Sequence, residues 1–168
     1  KWQMDVKYVP TACYSGKDRQ KYFQYTVIDE ASRKRFIYAY EEQSSYSTID
    51  FLKRAITYFG YAPDVLQTDN GGEFRHISKT NRMHPLDVFC EEYGIIHKLI
   101  RPRTPWHNGK VERSHRNDQE RFYNHLSFYS YRDLQKQMER YLRRSNNIPM
   151  AVLGWKSPNQ KHVELGGR

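Results

Sequence analysis

The sequence predicts an α/β fold with a mixed five-stranded sheet, in which three antiparallel strands precede two parallel strands and helices flank the sheet. Three β-branched and aromatic runs with short connections fill the first third of the chain, which is typical of an antiparallel meander. Two short apolar runs then alternate with stretches of helical periodicity, which favours strand-helix-strand units. The 168 residues are enough for one sizeable core, so we expect a single domain over residues 1–168.

The meander and the first helix are the clearest elements. The predicted strands read WQMDVKYV, KYFQYTVIDE and RFIYAYEE, and the turn-rich segments YSGKDRQ and ASRK connect them. The next stretch, SSYSTIDFLKRAITYFGYAP, has the period of an amphipathic helix. Ser47 and Asp50 form its predicted capping box, and Gly60 and Pro63 end it. Its predicted apolar face carries Ile49, Leu52, Ile56 and Phe59.

The second half of the chain alternates strands and helices. DVLQT reads as a short buried strand, LDVFCEEYG as a helix and IIHKLI as another strand. Pro102 and Pro105 interrupt the chain before a long helix from about Lys110 to His125. A last helix begins near Ser130, and the segment 145–168, rich in Asn, Pro and Gly, is expected to be irregular. The apolar face of the last helix carries Leu134, Met138, Tyr141 and Leu142.

The charge balance indicates a polyanionic partner. The chain has 28 basic and 19 acidic residues, a formal charge of +9, and such an excess favours nucleic acid or an anionic membrane surface. No run of about eighteen apolar residues occurs, so we expect no membrane span.

The cysteines and the chain start bear on the cellular context. Cys13 and Cys90 are isolated, which argues against a zinc site and favours reduced thiols in the cytosol. No signal peptide is expected, because KWQMDVKYVP has an acid where an apolar core would lie. Since the chain begins at Lys1 rather than Met, we expect a domain excised from a longer protein.

Three carboxylates occupy positions that suggest chemistry. Asp5 lies within the first predicted strand, Asp69 ends the buried strand DVLQT, and Glu112 lies in the first turn of the long helix. Each has a structural alternative. Asp5 would be an edge-strand charge, and Glu112 would interact with the helix dipole and Arg116. Asp69 would belong to an Asn-Gly hairpin, but no partner strand follows the glycines at hairpin distance.

Together the three carboxylates are suited to binding divalent cations. Mg²⁺ takes oxygen ligands, often one or two carboxylates together with waters and phosphate oxygens. Two such ions about 4 Å apart can activate an attacking oxygen and stabilise the leaving oxygen at phosphorus. Asp5, Asp69 and Glu112, meeting at the end of a sheet, could hold such a pair. The stretch 98–121 supplies seven basic side chains that would hold a phosphodiester beside this negative cluster.

Four segments carry a family resemblance: WQMD, LQTDNGGEF, FCEEYGIIHKLIRPRTPWHNGKVERSHR and LGWKSP. In this order they resemble the catalytic core of DDE transposases of bacterial insertion sequences, which are relatives of retroviral integrases in the ribonuclease H-like superfamily. The resemblance covers nearly the whole chain. It implies a ribonuclease H-like fold and a metal-binding catalytic triad of Asp5, Asp69 and Glu112. It also implies Mg²⁺ or Mn²⁺ as cofactor, with two ions expected.

The resemblance also implies a reaction and its partners. The reaction is hydrolytic cleavage at transposon ends, followed by attack of the freed 3′-hydroxyl on target DNA. DNA is then the partner, a homodimer or larger assembly is the working form, and the bacterial cytoplasm, near the nucleoid, is the location. Two rivals stay open: a metal-dependent nuclease of the same fold without strand transfer, and a domesticated core that only binds DNA.

Two features depart from the family pattern. The family commonly leaves about thirty-five residues between the second Asp and the Glu, whereas the forty-two residues 70–111 separate Asp69 from Glu112. The extra residues fit in the polar segment RHISKTNRMHP, which leaves the triad in place. Residues 148–150 read Ile-Pro-Met where the family often carries Arg-Pro-His, so no role of those side chains is carried over.

Six residues near Glu112 are predicted to contact DNA: Asn108, Lys110, Arg113, Arg116, Gln119 and Trp106. Arg116 and Gln119 share a helical stripe with Glu112, at i+4 and i+7, and a solvated salt bridge is the alternative for Arg116.

The other four residues have alternatives as well. Lys110 and Arg113 are expected to flank the Glu112 stripe. Asn108 would either face the DNA end or only start the helix. Trp106 would stack on an unpaired base or pack over the helix end.

Overall fold

The structure, a computed structural model, describes residues 1–18, 20–78, 80–101 and 108–167. Its strands are β1 (Trp2–Tyr8), β2 (Phe23–Asp29), β3 (Arg35–Tyr40), β4 (Val65–Thr68) and β5 (Ile96–Leu99). Its helices are α1 (Ser45–Phe59), α2 (Pro85–Glu92), α3 (Gly109–Arg121), α4 (Tyr131–Ser145) and α5 (Pro158–Glu164). Short 3-10 turns are formed by Thr11–Cys13, Tyr123–His125 and Ala151–Leu153.

The five strands form one mixed sheet in the order β3-β2-β1-β4-β5. β1 pairs antiparallel with β2 and β2 with β3, while β4 runs parallel to both β1 and β5. The predicted fold class is therefore confirmed. The pairing between β1 and β4 is short, since it involves only Trp2 and Gln3 of β1. The two strands therefore stop pairing before Asp5.

Alternation along the strands creates two apolar cores, one on each face of the sheet. Trp2 and Met4 of β1 lie fully buried in the core that includes Phe51 of α1. The second core, on the other face, contains Ile37 of β3 and the buried side of α4. The predicted inner face of α4 is confirmed for Leu134, Met138 and Leu142.

The start of α1 differs from the prediction. Ser44, three residues before Ser47, caps the helix, and its side chain accepts from the Ser47 amide. The predicted box of Ser47 with Asp50 is therefore wrong, because Asp50 instead pairs with Arg54 at i+4. The predicted end is confirmed, since Gly60 has a φ of 81°, which a residue without Cβ adopts at low cost.

The segment 145–168 was expected to be irregular because of its composition, but part of it is helical. It contains α5, which begins with Pro158 at its first position. Ser157 and Gln160 form a reciprocal capping box with each other's backbone N–H groups. These signals outweigh the Asn, Pro and Gly content of the segment.

The helix α3 is shorter than predicted and ends at Arg121 rather than His125. Phe122 and Tyr123 are both buried in the second core. Consecutive residues of a continuing helix point about 100° apart, so the backbone leaves the helix and forms a 3-10 turn there.

A buried ion pair fixes α3 to the sheet. Arg35 of β3 donates through Nη1 to Asp118 at 2.6 Å and to Ser114 at 2.9 Å. The second oxygen of Asp118 accepts from Gln24 at 2.8 Å, and its first oxygen also accepts from Tyr141 at 2.9 Å. β2, β3, α3 and α4 therefore meet at one network of hydrogen bonds.

Two further sequence expectations concern membranes and thiols. Within the ranges that the structure describes, no helix is both long and apolar enough to cross a bilayer. Cys13 and Cys90 are free and buried, as expected from their isolation in the sequence.

We predict that Asp118→Asn lowers the free energy of unfolding by about 3–5 kcal/mol, because it leaves the Arg35 guanidinium buried without its counter-charge. Urea denaturation measures the loss. Glu139→Gln is the control, since the pair of Glu139 with Arg143 is exposed, with 70% and 74% of the two side chains accessible. It should cost less than about 1 kcal/mol. Equal losses of unfolding free energy in the two variants would show that the buried ion pair contributes no more to stability than the exposed pair.

Candidate active site

Asp5 and Asp69 come together where β1 and β4 stop pairing. The parallel register aligns Gln3 with Gln67, so two further residues along each strand bring Asp5 beside Asp69. Backbone N–H groups hold both carboxylates: Asp5 accepts from the next residue and Asp69 from the residue two positions on, each at 2.9 Å. Both residues are half-buried.

Gln3 fixes the first turn of α3 beside these carboxylates. Its Oε1 accepts from the backbone N–H groups of residues 110 and 111, at 3.1 Å and 3.3 Å. Asn108 occupies the N-cap position but makes no side-chain bond to the helix. It donates instead to the Met4 carbonyl at 3.2 Å. The start of α3 is thus tied to β1, and Glu112 lies in this tied turn.

Sequence reasoning missed Gln3. A signal for it existed, because Gln3 lies two positions before Asp5 and therefore shares its face of β1. It is only 2% exposed, and a buried amide needs hydrogen-bond partners. That those partners are the N–H groups of a helix more than a hundred residues away is visible only in the fold.

Asp5 lies at the centre of the acidic cluster. Its pKa is raised to about 7, first by burial and then by nearby negative charges, while a backbone N–H bond acts in the opposite direction. Those charges belong to Asp69, Glu112 and Glu73, in decreasing order of effect. The three predicted ligands are therefore close enough to repel one another. Glu73 is a fourth nearby acid and accepts from Gln43 at 2.5 Å.

The donor set fits a hard divalent cation, although the side chains do not surround one point. Among the described residues, no three His, Cys, Asp or Glu side chains are placed to hold a metal ion together. Glu112 is exposed on α3, and like charges with no cation between them favour separation. Asp5, Asp69 and Glu112 offer oxygen ligands, which Mg²⁺ and Mn²⁺ prefer. A cation would offset the repulsion that raises the pKa of Asp5.

His115 approaches the cluster from α3, with Nδ1 at 3.4 Å from an Asp5 carboxylate oxygen. Burial lowers the pKa of His115 to about 4, whereas the pKa of Asp5 is raised. The imidazole is therefore neutral near pH 7, and the contact is not an ion pair. The sequence favours a supporting position or a DNA contact for His115 over a ligand role, and this stays a prediction.

The predicted DNA contacts lie on two sides of α3. Arg116 and Gln119 follow Glu112 at i+4 and i+7 on the same side, and Gln119 donates to Asn124 at 2.9 Å. Lys110 and Arg113 instead line a cavity of about 340 Å³ between α3, α4 and the C-terminal segment. The expectation that both flank the Glu112 stripe is therefore wrong for Lys110, whereas Arg113 lies about 100° from Glu112 and adjoins the stripe. Lys110 is two positions from Glu112, about 200° around the helix.

The last two predicted contacts are Asn108 and Trp106. Asn108 is 1% exposed, and its Oδ1 has no hydrogen-bond partner among the described residues. Its bond to Met4 supports a structural role, and the DNA contact stays a prediction. Trp106 lies outside the described residues, so its predicted stacking stays a prediction too.

The mixed five-stranded sheet and its flanking helices have the ribonuclease H-like architecture that the resemblance implied. Two family models, each described as "Integrase core domain", match residues 1–105 and 93–158. The chain belongs to the integrase core domain family, the group of integrase and transposase catalytic cores.

Similar proteins extend this picture. The "Putative integrase ORF3" of Spiroplasma virus SpV1-C74 is 34% identical over 124 residues, which is 68% of this chain and 34% of the viral protein. The "Retrovirus-related Pol polyprotein from transposon TNT 1-94" of Nicotiana tabacum is 35% identical over 98 residues, which is 57% of this chain and 7% of that polyprotein. The chain therefore spans a third or less of the length of these relatives.

A solved structure shares the fold. The HTLV-2 integrase catalytic core domain, in complex with magnesium in a trimeric form, superposes with a TM-score of 0.68 at 22% identity. The match covers 96% of this chain and 94% of that domain.

We predict that Asp5→Asn stabilises the metal-free protein at pH 8. The pKa of Asp5 in the fold is about 7, above its ordinary value of 3.8, so between pH 3.8 and 7 the folded state binds more protons than the unfolded state. Its stability therefore falls as the pH rises from 4 to 7. Roughly three pKa units correspond to at most about 4 kcal/mol, and solvent screening reduces this to about 1–3 kcal/mol.

Urea denaturation of wild type and Asp5→Asn in EDTA, at pH 5 and pH 8, measures this gain, which should be larger at pH 8. Asp50→Asn is the control. Asp50 pairs with Arg54 at 2.7 Å on the protein surface, so removing its charge should not stabilise the protein. A gain that is independent of pH would contradict the electrostatic explanation.

Proposed function

We propose that this chain is the catalytic core of a transposase that cleaves DNA at transposon ends and joins the freed 3′-hydroxyl to target DNA. The observation that carries the proposal is that the negative charges of Asp69 and Glu112 act on Asp5, beside the point where β1 and β4 stop pairing. Family membership and a transposon-encoded relative support it. The basic charge of the chain, +9, fits a DNA substrate.

Asp5, Asp69 and Glu112 would hold the divalent metal, Mg²⁺ or Mn²⁺, as two ions in the sense of the two-metal mechanism. When bound, the metal supplies Lewis-acid stabilisation of the attacking and leaving oxygens at phosphorus. The related HTLV-2 core is described in complex with magnesium. The residues of this chain orient the ligands: Gln3 holds the helix of Glu112 on β1.

DNA would meet α3 on both of its basic sides. Arg116 and Gln119 would contact the transposon end beside Glu112, and the side that carries Lys110 and Arg113 would contact further phosphates. Charge-assisted bonds from arginine to phosphate are strong and do not depend on base sequence. Two transposon ends must be processed together, so we propose a homodimer or larger assembly, working in the bacterial cytoplasm near the nucleoid.

A joining assay tests the proposal. The protein is given Mg²⁺, donor DNA that carries the terminal repeats of its own element, and a plasmid target. Joined product supports the transposase. Cleavage without joining would favour the rival nuclease, and binding without cleavage would favour a domesticated DNA-binding core.

We predict that Asp69→Asn and Glu112→Gln each lower the cleavage rate at least about a hundredfold, since even residues that only support a metal ligand can cost 10–100-fold. Glu73→Gln is the matched control, because it removes an acidic side chain four positions after Asp69 and should retain activity within about threefold. Cleavage rates at saturating Mg²⁺, with folding checked by circular dichroism, provide the measurement. Full activity of Asp69→Asn would overturn the assignment of the triad.

We predict that Arg116→Gln and Arg113→Gln each lower the slope of log K against log salt for DNA binding by about 1, which is the loss of one phosphate contact. Fluorescence anisotropy with a labelled duplex at several salt concentrations measures the slopes. Arg143→Gln, on the exposed side of α4 with Glu139 as its partner, should leave the slope unchanged. If Arg113→Gln behaves like this control, the cavity side of α3 does not contact DNA.

A further inference from the structure

Three side chains from three elements form a hydrogen-bonded row that ends at the backbone of Asp69. His97 of β5 contacts the Asp87 carboxylate of α2 through Nδ1 at 2.6 Å. Its Nε2 lies 2.9 Å from the Thr68 hydroxyl of β4. That hydroxyl donates to the Asp69 carbonyl at 3.0 Å.

The bond to Asp69 is made where strand pairing ends. The last ladder bond between this end of β4 and the chain after β5 runs from the Ile100 amide to the Thr68 carbonyl at 2.9 Å. The next carbonyl, that of Asp69, lies beyond the paired residues of β4 and β5. A backbone carbonyl in this position needs another donor, and Thr68 supplies it. The row therefore fixes the first peptide that the sheet no longer holds.

His97 is unusual among its neighbours on β5. Ile96, Lys98 and Leu99 are all exposed, whereas the His97 side chain is only 7% accessible. An apolar side chain would satisfy packing alone at this inward position. A buried imidazole that contacts Asp87 through one nitrogen and Thr68 through the other is instead held in one orientation.

The donors and acceptors of the row are consistent in one direction. The Asp87 carboxylate only accepts, so Nδ1 of His97 carries a hydrogen. Thr68 has a single hydroxyl hydrogen, which it gives to the Asp69 carbonyl. Its oxygen therefore accepts from Nε2 when both ring nitrogens of His97 carry a hydrogen, as in the imidazolium form, whose positive charge the Asp87 carboxylate offsets. Every group in the row thus has one defined role, which restricts the rotation of the Thr68 side chain.

The residues after Asp69 are held as well. Asn70 donates through its side chain to the Ile100 carbonyl at 2.9 Å, and the Gly71 amide donates to the Asp69 carboxylate at 2.9 Å. The peptide of Asp69 is therefore fixed from the strand side by Thr68 and from the loop side by Asn70. Its carboxylate has little freedom to leave the neighbourhood of Asp5.

We propose that Asp87, His97 and Thr68 form a positioning relay that orients Asp69 towards the divalent cation. The inference rests on the proposed function, because it assigns Asp69 as a metal ligand. None of the three relay residues touches the metal in this assignment. The relay acts through the Asp69 backbone, so its loss should weaken metal binding while leaving the fold intact.

The test measures Mn²⁺ affinity by isothermal calorimetry, together with the Mg²⁺ concentration needed for half-maximal cleavage. Thr68→Val removes only the hydroxyl at nearly constant shape, and His97→Gln removes the imidazole. Both should weaken Mn²⁺ binding about tenfold or more, the range seen when groups that orient ligands are lost. Thr68→Ser, which keeps the hydroxyl, should restore wild-type affinity.

A stability-matched control separates positioning from general destabilisation. Ser130→Ala removes the side-chain cap of α4, which takes no part in the site; it should lower the stability of the protein and leave its Mn²⁺ affinity unchanged. Wild-type affinity in both Thr68→Val and His97→Gln would overturn the relay, and so would equal losses in Thr68→Val and Thr68→Ser.

The outcome for the proposed function is read separately. If Asp69→Asn abolishes Mn²⁺ binding and the relay variants weaken it, the relay stands even when no DNA is cleaved or joined. If Asp69→Asn binds Mn²⁺ as tightly as wild type, the metal-ligand assignment fails and the relay fails with it. If DNA is cleaved and joined while Thr68→Val binds Mn²⁺ normally, only the relay is overturned.

Discussion

The buried pair of Arg35 and Asp118 is the constraint on which the position of α3 depends. Two charges removed from water are tolerated only when their hydrogen-bonding capacity is used. Here Asp118 also accepts from Gln24 and Tyr141, and the guanidinium of Arg35 donates to Ser145 at 3.1 Å and 3.3 Å. These groups belong to four elements. The helix that carries Glu112 therefore cannot slide along the sheet without leaving a buried charge unpaired.

A second device holds the other end of the same helix. Gln3 accepts from the first N–H groups of α3, seven and eight residues before Asp118, so the helix is fixed at two points that bracket Glu112. These two attachments keep the backbone of Glu112 beside β1, while its side chain is exposed and does not meet Asp5 and Asp69 around one point among the described residues. Burial first, and then these neighbouring charges, raise the pKa of Asp5. A cluster of carboxylates whose mutual repulsion a cation would relieve is expected of a metal-binding site.

The sequence could predict those parts of the molecule that depend on local pattern. Strand alternation, the apolar face of α4 and the position of Asp69 at a strand end follow from periods of two and 3.6 residues. The partners that organise the site were not predictable in this way. Arg35 and Asp118 are 83 positions apart, and a single sequence does not indicate that these two residues pair in the folded protein. His97 looked like any polar residue in a short strand, since only the fold shows which side chain of β5 turns inward.

The C-terminal segment shapes the surroundings of the basic residues of α3. The segment 145–168 was expected to be irregular, and Lys110 and Arg113 were expected to flank Glu112. In the structure, part of that segment packs beside α3, and Ile148, Met150 and Pro158 form one wall of the cavity that the two basic residues line. A run of charges along the sequence specifies no helix face, whereas packing on one side of a helix does. The C-terminal segment therefore divides the basic residues of α3 into two groups, and only the group containing Arg116 shares its side with Glu112.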